Sequence, residues 1–260
     1  MSIDDSNNSD EEVWGKWDPN KYLATYFTYD SLGPDSYNAW NFLIEELRKI
    51  DQPIEKALDF GAGPTLFGSI PMAPHAKEIH IADYIQLNMD SIQEWVLSNP
   101  DSFDWSDCIS EVLKIELGRS PDVKEILDRQ LDVRSKITRL QTCNAGLESP
   151  LEVPDQYPLI VSTYCVDSAT DSKEEWAIYM KNLLSLLDES GTLLLTALRN
   201  CRAYKVQNRT FPSANIDEKD LANVLADNNF RKGQYSIEVS DALSCTQEGF
   251  NSLLFATIKK

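Results

Sequence analysis

Lys56-Ala-Leu-Asp-Phe60, followed by Gly61-Ala-Gly63-Pro-Thr65, is the stretch on which the reading of this chain turns. Its first half is short and apolar, as a buried strand is, and its second half puts two glycines where the chain leaves that strand. A strand, a tight turn and then a helix N-terminus is the reading that follows. Glycines there let the backbone approach a ligand at a distance no side chain would allow. The third glycine of a Gly-x-Gly-x-x-Gly turn is missing, since Pro64 and Thr65 follow, so a dinucleotide pyrophosphate is disfavoured. Downstream, Glu78-Ile-His-Ile-Ala-Asp-Tyr84 reads as a second strand, and its Asp83 stands 20 residues after Gly63. A carboxylate at that strand end can take both hydroxyls of an adenosine ribose; alternatively it caps the helical pattern running from Gln86 to Leu97.

Further strands are expected at 137–143, 159–166 and 192–198, helices at 176–187 and 217–226, and an antiparallel pair at 235–239 and 253–258. Alternating elements of this kind predict an α/β domain with a mostly parallel sheet. Ahead of the first strand, Tyr22, Leu23, Tyr26 and Phe27, then Trp40, Phe42, Leu43 and Leu47, repeat at helical spacing, which predicts an N-terminal helical cover over residues 13–52. Residues 100–136 carry Leu and Ile at helical spacing and are expected to form a helical insertion. Residues 1–12 are acidic and nearly free of apolar groups, a composition that leaves a disordered tail before one domain of residues 13–260.

The 260 residues carry 42 Asp and Glu against 24 Lys and Arg, a formal charge of −18, which repels nucleic-acid phosphates and anionic membranes. No apolar run approaches the roughly 18 residues that span a bilayer, and no signal-peptide pattern opens the sequence, so the chain is expected in the cytoplasm. Five scattered cysteines form no Cys-x-x-Cys pair, and two histidines five residues apart cannot complete a metal triad or a relay. No metal is expected.

Lys21-Tyr-Leu-Ala-Thr-Tyr26, Ala57 to Thr65, Ile81-Ala-Asp-Tyr84 with Asn88, Phe103-Asp-Trp105, Val161-Ser-Thr-Tyr-Cys-Val-Asp167 and Glu248-Gly249 occur in this order. Together they resemble the nicotinamide, phenylethanolamine and indolethylamine N-methyltransferases. The resemblance implies a Rossmann-like class I methyltransferase with a mostly parallel seven-stranded sheet ending in an antiparallel strand. The implied cofactor is S-adenosyl-L-methionine, and the implied partner is a small-molecule amine or related nitrogen base, handled by a monomer.

Carried over by position, Tyr22 and Tyr26 would close over the methionine and sulfonium end of the cofactor, unless they merely pack a helix onto the sheet. Gly61, Ala62, Gly63 and Thr65 would meet its amino and carboxylate groups, Asp83 and Asn88 its ribose, and Tyr84 its adenine face. Asn144, with Ala145, would meet the adenine edge where the family usually has aspartate, and Thr163 would lie against the sulfonium. On the acceptor side the resemblance points to Tyr204, Asn200 and Tyr26, and to Thr196, which replaces the aspartate of the nicotinamide enzymes.

Methyl transfer from a sulfonium is an in-line displacement whose electrophile comes already activated, so positioning in a dry pocket suffices and no nucleophilic side chain is needed. An alkylamine must lose a proton first, and Asp167 or Glu248 is the candidate carboxylate. Asp167 equally suits a helix cap, and Glu248, Asp241 and Arg199 equally suit surface charge. Three alternatives remain: a nucleotide oxidoreductase, disfavoured by Pro64; a cofactor-binding module without turnover; and a methyltransferase with an oxygen or sulfur acceptor.

Overall fold

The computed structural model describes residues 17–206, 209–242, 250 and 252–260. Strand β1 (Ile54–Phe60) is an interior strand, third of seven in the sheet, where its second half is buried on both faces, and this is why that half is mostly apolar. Ala57 faces one core with Ile79 and Val161, while Leu58 and Phe60 face a second with Ile160 and Leu195. Chain order runs from β2 (Ala76–Asp83) through β3 (Ile137–Thr142), β4 (Tyr157–Thr163), β5 (Leu187–Arg199) and β8 (Tyr235–Asp241) to β9 (Ser252–Lys259). Sheet order is β3-β2-β1-β4-β5-β9-β8. All neighbours pair in parallel except β9, which runs antiparallel between β5 and β8. The mostly parallel sheet and its antiparallel closing pair are thus as the sequence predicts.

Among the described residues, two α-helices precede the sheet. Helix α1 (Pro19–Tyr26) starts because the Asp18 carboxylate accepts from the Asn20 and Lys21 amides while Pro19 leaves no donor to satisfy. Helix α2 (Pro34–Leu47) follows Gly33 in extended conformation, again with proline first, and buries Trp40, Leu43 and Leu47. Phe42 stacks on Phe255 of β9 at 5.0 Å, so α2 packs against the β5/β9 half of the sheet.

After α3 (Ser69–Met72) and α4 (Gln86–Val96), the predicted insertion proves to be two helices, α5 (Ser106–Leu117) and α6 (Val123–Lys136). Left-handed Gly118 ends the first, and Asp122 with Glu125 forms a capping box that starts the second. Helices α7 (Lys173–Ser185) and α8 (Glu218–Asp227) cover the opposite face.

Three boundaries differ from expectation, one of them the helix expected at 176–187, which runs from Lys173 to Ser185, and one element is new. The strand expected to reach Val166 stops at Thr163, because Tyr164 turns left-handed with φ 51° and Val166–Ser168 form a turn of 3₁₀ helix. Strand β5 begins five residues early, passing through a register irregularity opposite Tyr157 and Leu159. A small antiparallel ribbon, β6 (Ala203–Val206) with β7 (Arg209–Pro212), has no counterpart among the expected elements. The tail expected over residues 1–12 lies outside the described residues.

Candidate functional site

Sheet order reverses direction at β1, with β2 to one side and β4 to the other, and the crevice beyond those strand ends is where open α/β sheets bind ligands. A cavity of about 430 Å³ opens there, lined by Gly61 to Thr65 at its floor, by Tyr22 and Tyr26 from α1, and by Tyr204 from the ribbon. The glycine turn is built by contact. Gly61 sits at φ +70°, and a Cβ added to it would meet the Cys165 Sγ at 1.9 Å, so the turn and the end of β4 touch without intervening side chain. Gly63 sits at φ +62° and donates its amide to Asp83 Oδ2 at 2.8 Å.

Asp83 organises the nucleoside end. Its Oδ1 accepts from the Ile85 amide at 2.9 Å and the Asn88 amide nitrogen at 2.8 Å, and Trp17 Nε1 donates onward to Asn88 Oδ1 at 2.7 Å. Burial pushes the Asp83 carboxyl up, and the Ile85, Asn88 and Gly63 donors pull it back. It is no helix cap, because α4 begins after Ile85 without a side-chain bond. Tyr84 stays 46% exposed beside it and lines the cavity. Asn144 and Ala145 reach the same end; Asn144 Oδ1 accepts from the Gly146 amide at 2.8 Å, while the Ala145 carbonyl accepts from Asn182. Thr65 folds its hydroxyl back to the Ala62 carbonyl, and Thr163 lines the wall where β4 ends.

Tyr22 and Tyr26 pack as an aromatic pair with their rings 5.2 Å apart, and both line the cavity. Tyr26 also donates its hydroxyl to the Lys205 carbonyl at 3.0 Å, tying α1 to the ribbon. Tyr204 stacks on Phe211 at 5.5 Å and donates to the Ser168 carbonyl at 3.4 Å; burial raises its phenol well above the usual value.

Several acceptor-side expectations are corrected. Asp167 does not reach the cavity wall: it is fully buried, and its Oδ2 accepts from the Leu198 amide at 2.9 Å and from the Ser168 hydroxyl. Burial holds its carboxyl up at about 6. Nor does it cap α7, which Ser172 does. Thr196 is fully buried two residues below Leu198 on the same side of β5, and Leu198 is the one that lines the cavity. Asn200 is exposed in a left-handed turn, its amide donating to the Ile216 carbonyl, and it is not part of the wall. Arg199 pairs with Glu218 at 2.7 Å, and Asp241 lies exposed on the edge strand. Glu248 lies outside the described residues.

Residues the sequence reading missed include Trp17, Asp35, Cys165 and Leu198, all in the wall. Trp17 carried a signal, an aromatic just ahead of the Asp18 cap; Asp35 carried none beyond its place after Pro34. Among the described residues, no three His, Cys, Asp or Glu side chains are grouped to hold a metal, and no helix is long and apolar enough to cross a membrane.

A sheet of this order, with a glycine turn at the reversal point and an acid at the end of β2, defines a class I methyltransferase, and the cofactor of that class is S-adenosylmethionine. Solved structures agree on the fold: a magnesium protoporphyrin IX methyltransferase from Synechocystis superposes with a TM-score of 0.56 at 11% identity, covering 100% of both chains. A 1,6-didemethyltoxoflavin-N1-methyltransferase from Burkholderia thailandensis gives 0.53 at 13% identity, covering 100% of this chain and 93% of that one. The chain belongs to the NNMT/PNMT/TEMT family, whose model matches residues 6–260. Among relatives, it is 24% identical to the indolethylamine N-methyltransferase of Oryctolagus cuniculus over 219 residues, covering 82% of this chain and 81% of that protein. The nicotinamide N-methyltransferase of Homo sapiens is 24% identical, over 88% and 85% of the two chains, and the phenylethanolamine N-methyltransferase of Mus musculus is 22% identical, over 95% and 86%.

The wall fits this cofactor on its own geometry. The Gly61 and Ala62 amides are spent on the Ala82 carbonyl and the Gly63 amide on Asp83, so the turn offers a ligand close approach and carbonyl oxygens that can accept from an amino group, beside a buried carboxylate with a remaining lone pair at Asp83 and an exposed ring at Tyr84.

Proposed function

We propose that the chain transfers a methyl group from S-adenosylmethionine to the nitrogen of a small-molecule amine. The observation that carries this is the two-ended cavity: a glycine-and-carboxylate cradle over β1 and β2, and an aromatic compartment under α1 and the ribbon. When bound, S-adenosylmethionine supplies a methyl group on a sulfonium, activated for displacement. In this reading Gly61, Ala62, Gly63, Thr65, Asp83, Asn88, Asn144 and Ala145 hold the cofactor, while Tyr84 covers its adenine. Thr163 lies beside the reacting region, and Tyr22, Tyr26 and Tyr204 exclude water from it.

Holding nucleophile and methyl in line accounts for roughly 7 to 11 kcal/mol of barrier lowering without any nucleophilic side chain. Both thiols in the wall, Cys143 and Cys165, are held well above their ordinary pKa by burial and so stay protonated. Asp167 is a positioning residue, since its bond to the Leu198 amide fixes the end of β5 against the cavity. The amine reacts in its neutral form, so kcat/KM rises with pH toward the acceptor's own pKa. Among the described residues, four cysteines outside any disulfide support a cytoplasmic location.

The test is methyl transfer from labelled S-adenosylmethionine to a panel of alkylamines, heteroaromatic bases, alcohols and thiols, with products identified by mass. N-methyl products are expected. Preference for oxygen or sulfur over every nitrogen compound, or cofactor binding without turnover, would overturn the proposal.

A further inference from the structure

The ends of three neighbouring strands stand side by side along one half of the cavity: β1 with the glycine turn after it, β2 with Asp83, and β3 with Asn144 just beyond it. Asp83 pairs with Thr142 in the parallel ladder, and the Cys143 amide donates to the Asp83 carbonyl at 2.9 Å. Neighbouring strands lie about 4.8 Å apart, so roughly 10 Å separates the end of β1 from that of β3. A nucleoside ligand with its ribose at Asp83 in the middle and an amino group at the turn therefore lays its base over the end of β3, beside the exposed ring of Tyr84.

Asn144 and Ala145 open the loop that leaves β3, and both line the cavity. The hydrogen-bonding groups of this loop divide unevenly. Asn144 Oδ1 accepts from the Gly146 amide at 2.8 Å, the Asn144 carbonyl accepts from the Leu147 amide at 3.1 Å, and the Ala145 carbonyl accepts from Asn182 Nδ2 at 2.7 Å. The Gly146 amide is a donor, so the atom it faces is the side-chain oxygen, which fixes Asn144 Nδ2 on the other side. Among the described residues, neither Asn144 Nδ2 nor the Ala145 amide has a protein partner. The acceptors of the loop are occupied and its donors are free.

An adenine edge carries one acceptor, N1, beside the N–H donors of its 6-amino group. Free donors on the loop suit N1. The amino group meets no acceptor kept for it, and because Gly146, Leu147 and Glu148 are exposed it is left to water. A carboxylate in place of the Asn144 amide would reverse this, since it has only acceptors and takes an amino N–H in a charge-assisted bond.

Resting on the S-adenosylmethionine reading above, we infer that Asn144 makes the base end of the site a reader of the purine ring nitrogen rather than of the 6-amino group, so that the chain accepts cofactors lacking that group.

The experiment measures binding by calorimetry, at slightly alkaline pH where an added carboxylate is ionised, on wild type and Asn144→Asp. The ligands are S-adenosylhomocysteine, its 6-deamino analogue, in which hydrogen replaces the amino group, and its 1-deaza analogue, in which C–H replaces N1. Aspartate accepts from the Gly146 amide as asparagine does, so the substitution keeps the loop and exchanges a donor for an acceptor. Wild type is expected to bind S-adenosylhomocysteine and the deamino analogue within about threefold of each other, and the 1-deaza analogue about tenfold or more weakly. Asn144→Asp is expected to favour S-adenosylhomocysteine over the deamino analogue by about tenfold or more.

If Asn144→Asp does not fold, the wild-type ratios decide. A wild type that loses about tenfold on the deamino analogue, or nothing on the 1-deaza analogue, would overturn the inference while the cofactor reading stands. An unchanged deamino ratio in Asn144→Asp would overturn it too, by removing Asn144 from the base edge. Failure of wild type to bind S-adenosylhomocysteine and S-adenosylmethionine at all would overturn both readings together.

Discussion

Gly61 illustrates how much a single missing side chain controls here. Gly61→Ala brings two penalties: a Cβ pressed against Cys165, and an L residue at φ +70°, which costs about 1–2 kcal/mol. Its expected result is loss of S-adenosylhomocysteine binding and a lower Tm. Adding Cys165→Ala should not rescue it, since the Cβ at position 165 would still lie 2.5 Å away, whereas adding Cys165→Gly should restore part. Calorimetry on the single and the two double variants checks this, and wild-type affinity in Gly61→Ala would contradict it. Asp59 offers a pH test. Fully buried, its carboxyl is pushed up to about 7, mainly by desolvation and against hydrogen bonds from Ser69. Since the folded value lies above the unfolded one, its contribution is fully present below pH ~4 and is lost as pH rises to about 7. Asp59→Asn is expected to gain stability relative to wild type across that window, by a few kcal/mol at about 1.4 kcal/mol per pH unit, and then level off. Parallel Tm curves for the two proteins would exclude it. At this scale the cradle was legible because Gly61, Gly63 and Asp83 announce themselves by residue type and spacing. Asp167 and Asn200 were misplaced because left-handed turns at Tyr164 and Asn200 re-aim the strand ends, and neither is a glycine that would have flagged it, whereas Thr196 was misplaced in depth, two residues below Leu198 within regular strand.

Elements with strong periodicity or clear caps were legible to within a few residues: β1, β2, α4, and α8 with its Asp217 capping box. The ribbon was not, because its two strands are four residues each, one ends in Pro212, and only pairing with each other gives them strand character. Yet the ribbon supplies Tyr204 and meets α1 through the Tyr26 hydroxyl. Tyr26→Phe deletes that bond, which contributes about 0.5–1.5 kcal/mol. The expected outcome is a Tm within a few degrees of wild type, faster proteolysis within β6 and β7, and a severalfold lower kcat/KM as the cover opens more often. Unchanged proteolysis and kinetics would show that the cover is held elsewhere.

Across the whole molecule the formal net charge is −18, and the proposed acceptor is an amine that is cationic until it loses its proton. Raising ionic strength from about 0.02 to 0.5 M should lower kcat/KM for an alkylamine severalfold and leave a neutral base nearly unaffected, as screening removes long-range attraction. A salt response identical for both acceptors would assign no steering to the surface. The sheet, by contrast, imposes an order in time. Helix α2 leans on Phe255, and β9 fills the gap between β5 and β8, so helices made early by the ribosome find their partner only when a strand made much later has emerged. Until then Phe42 lacks the strand it lies on, and a nascent chain stalled before Ser252 would have made the strands that carry its cradle while leaving that face of α2 open to chaperones.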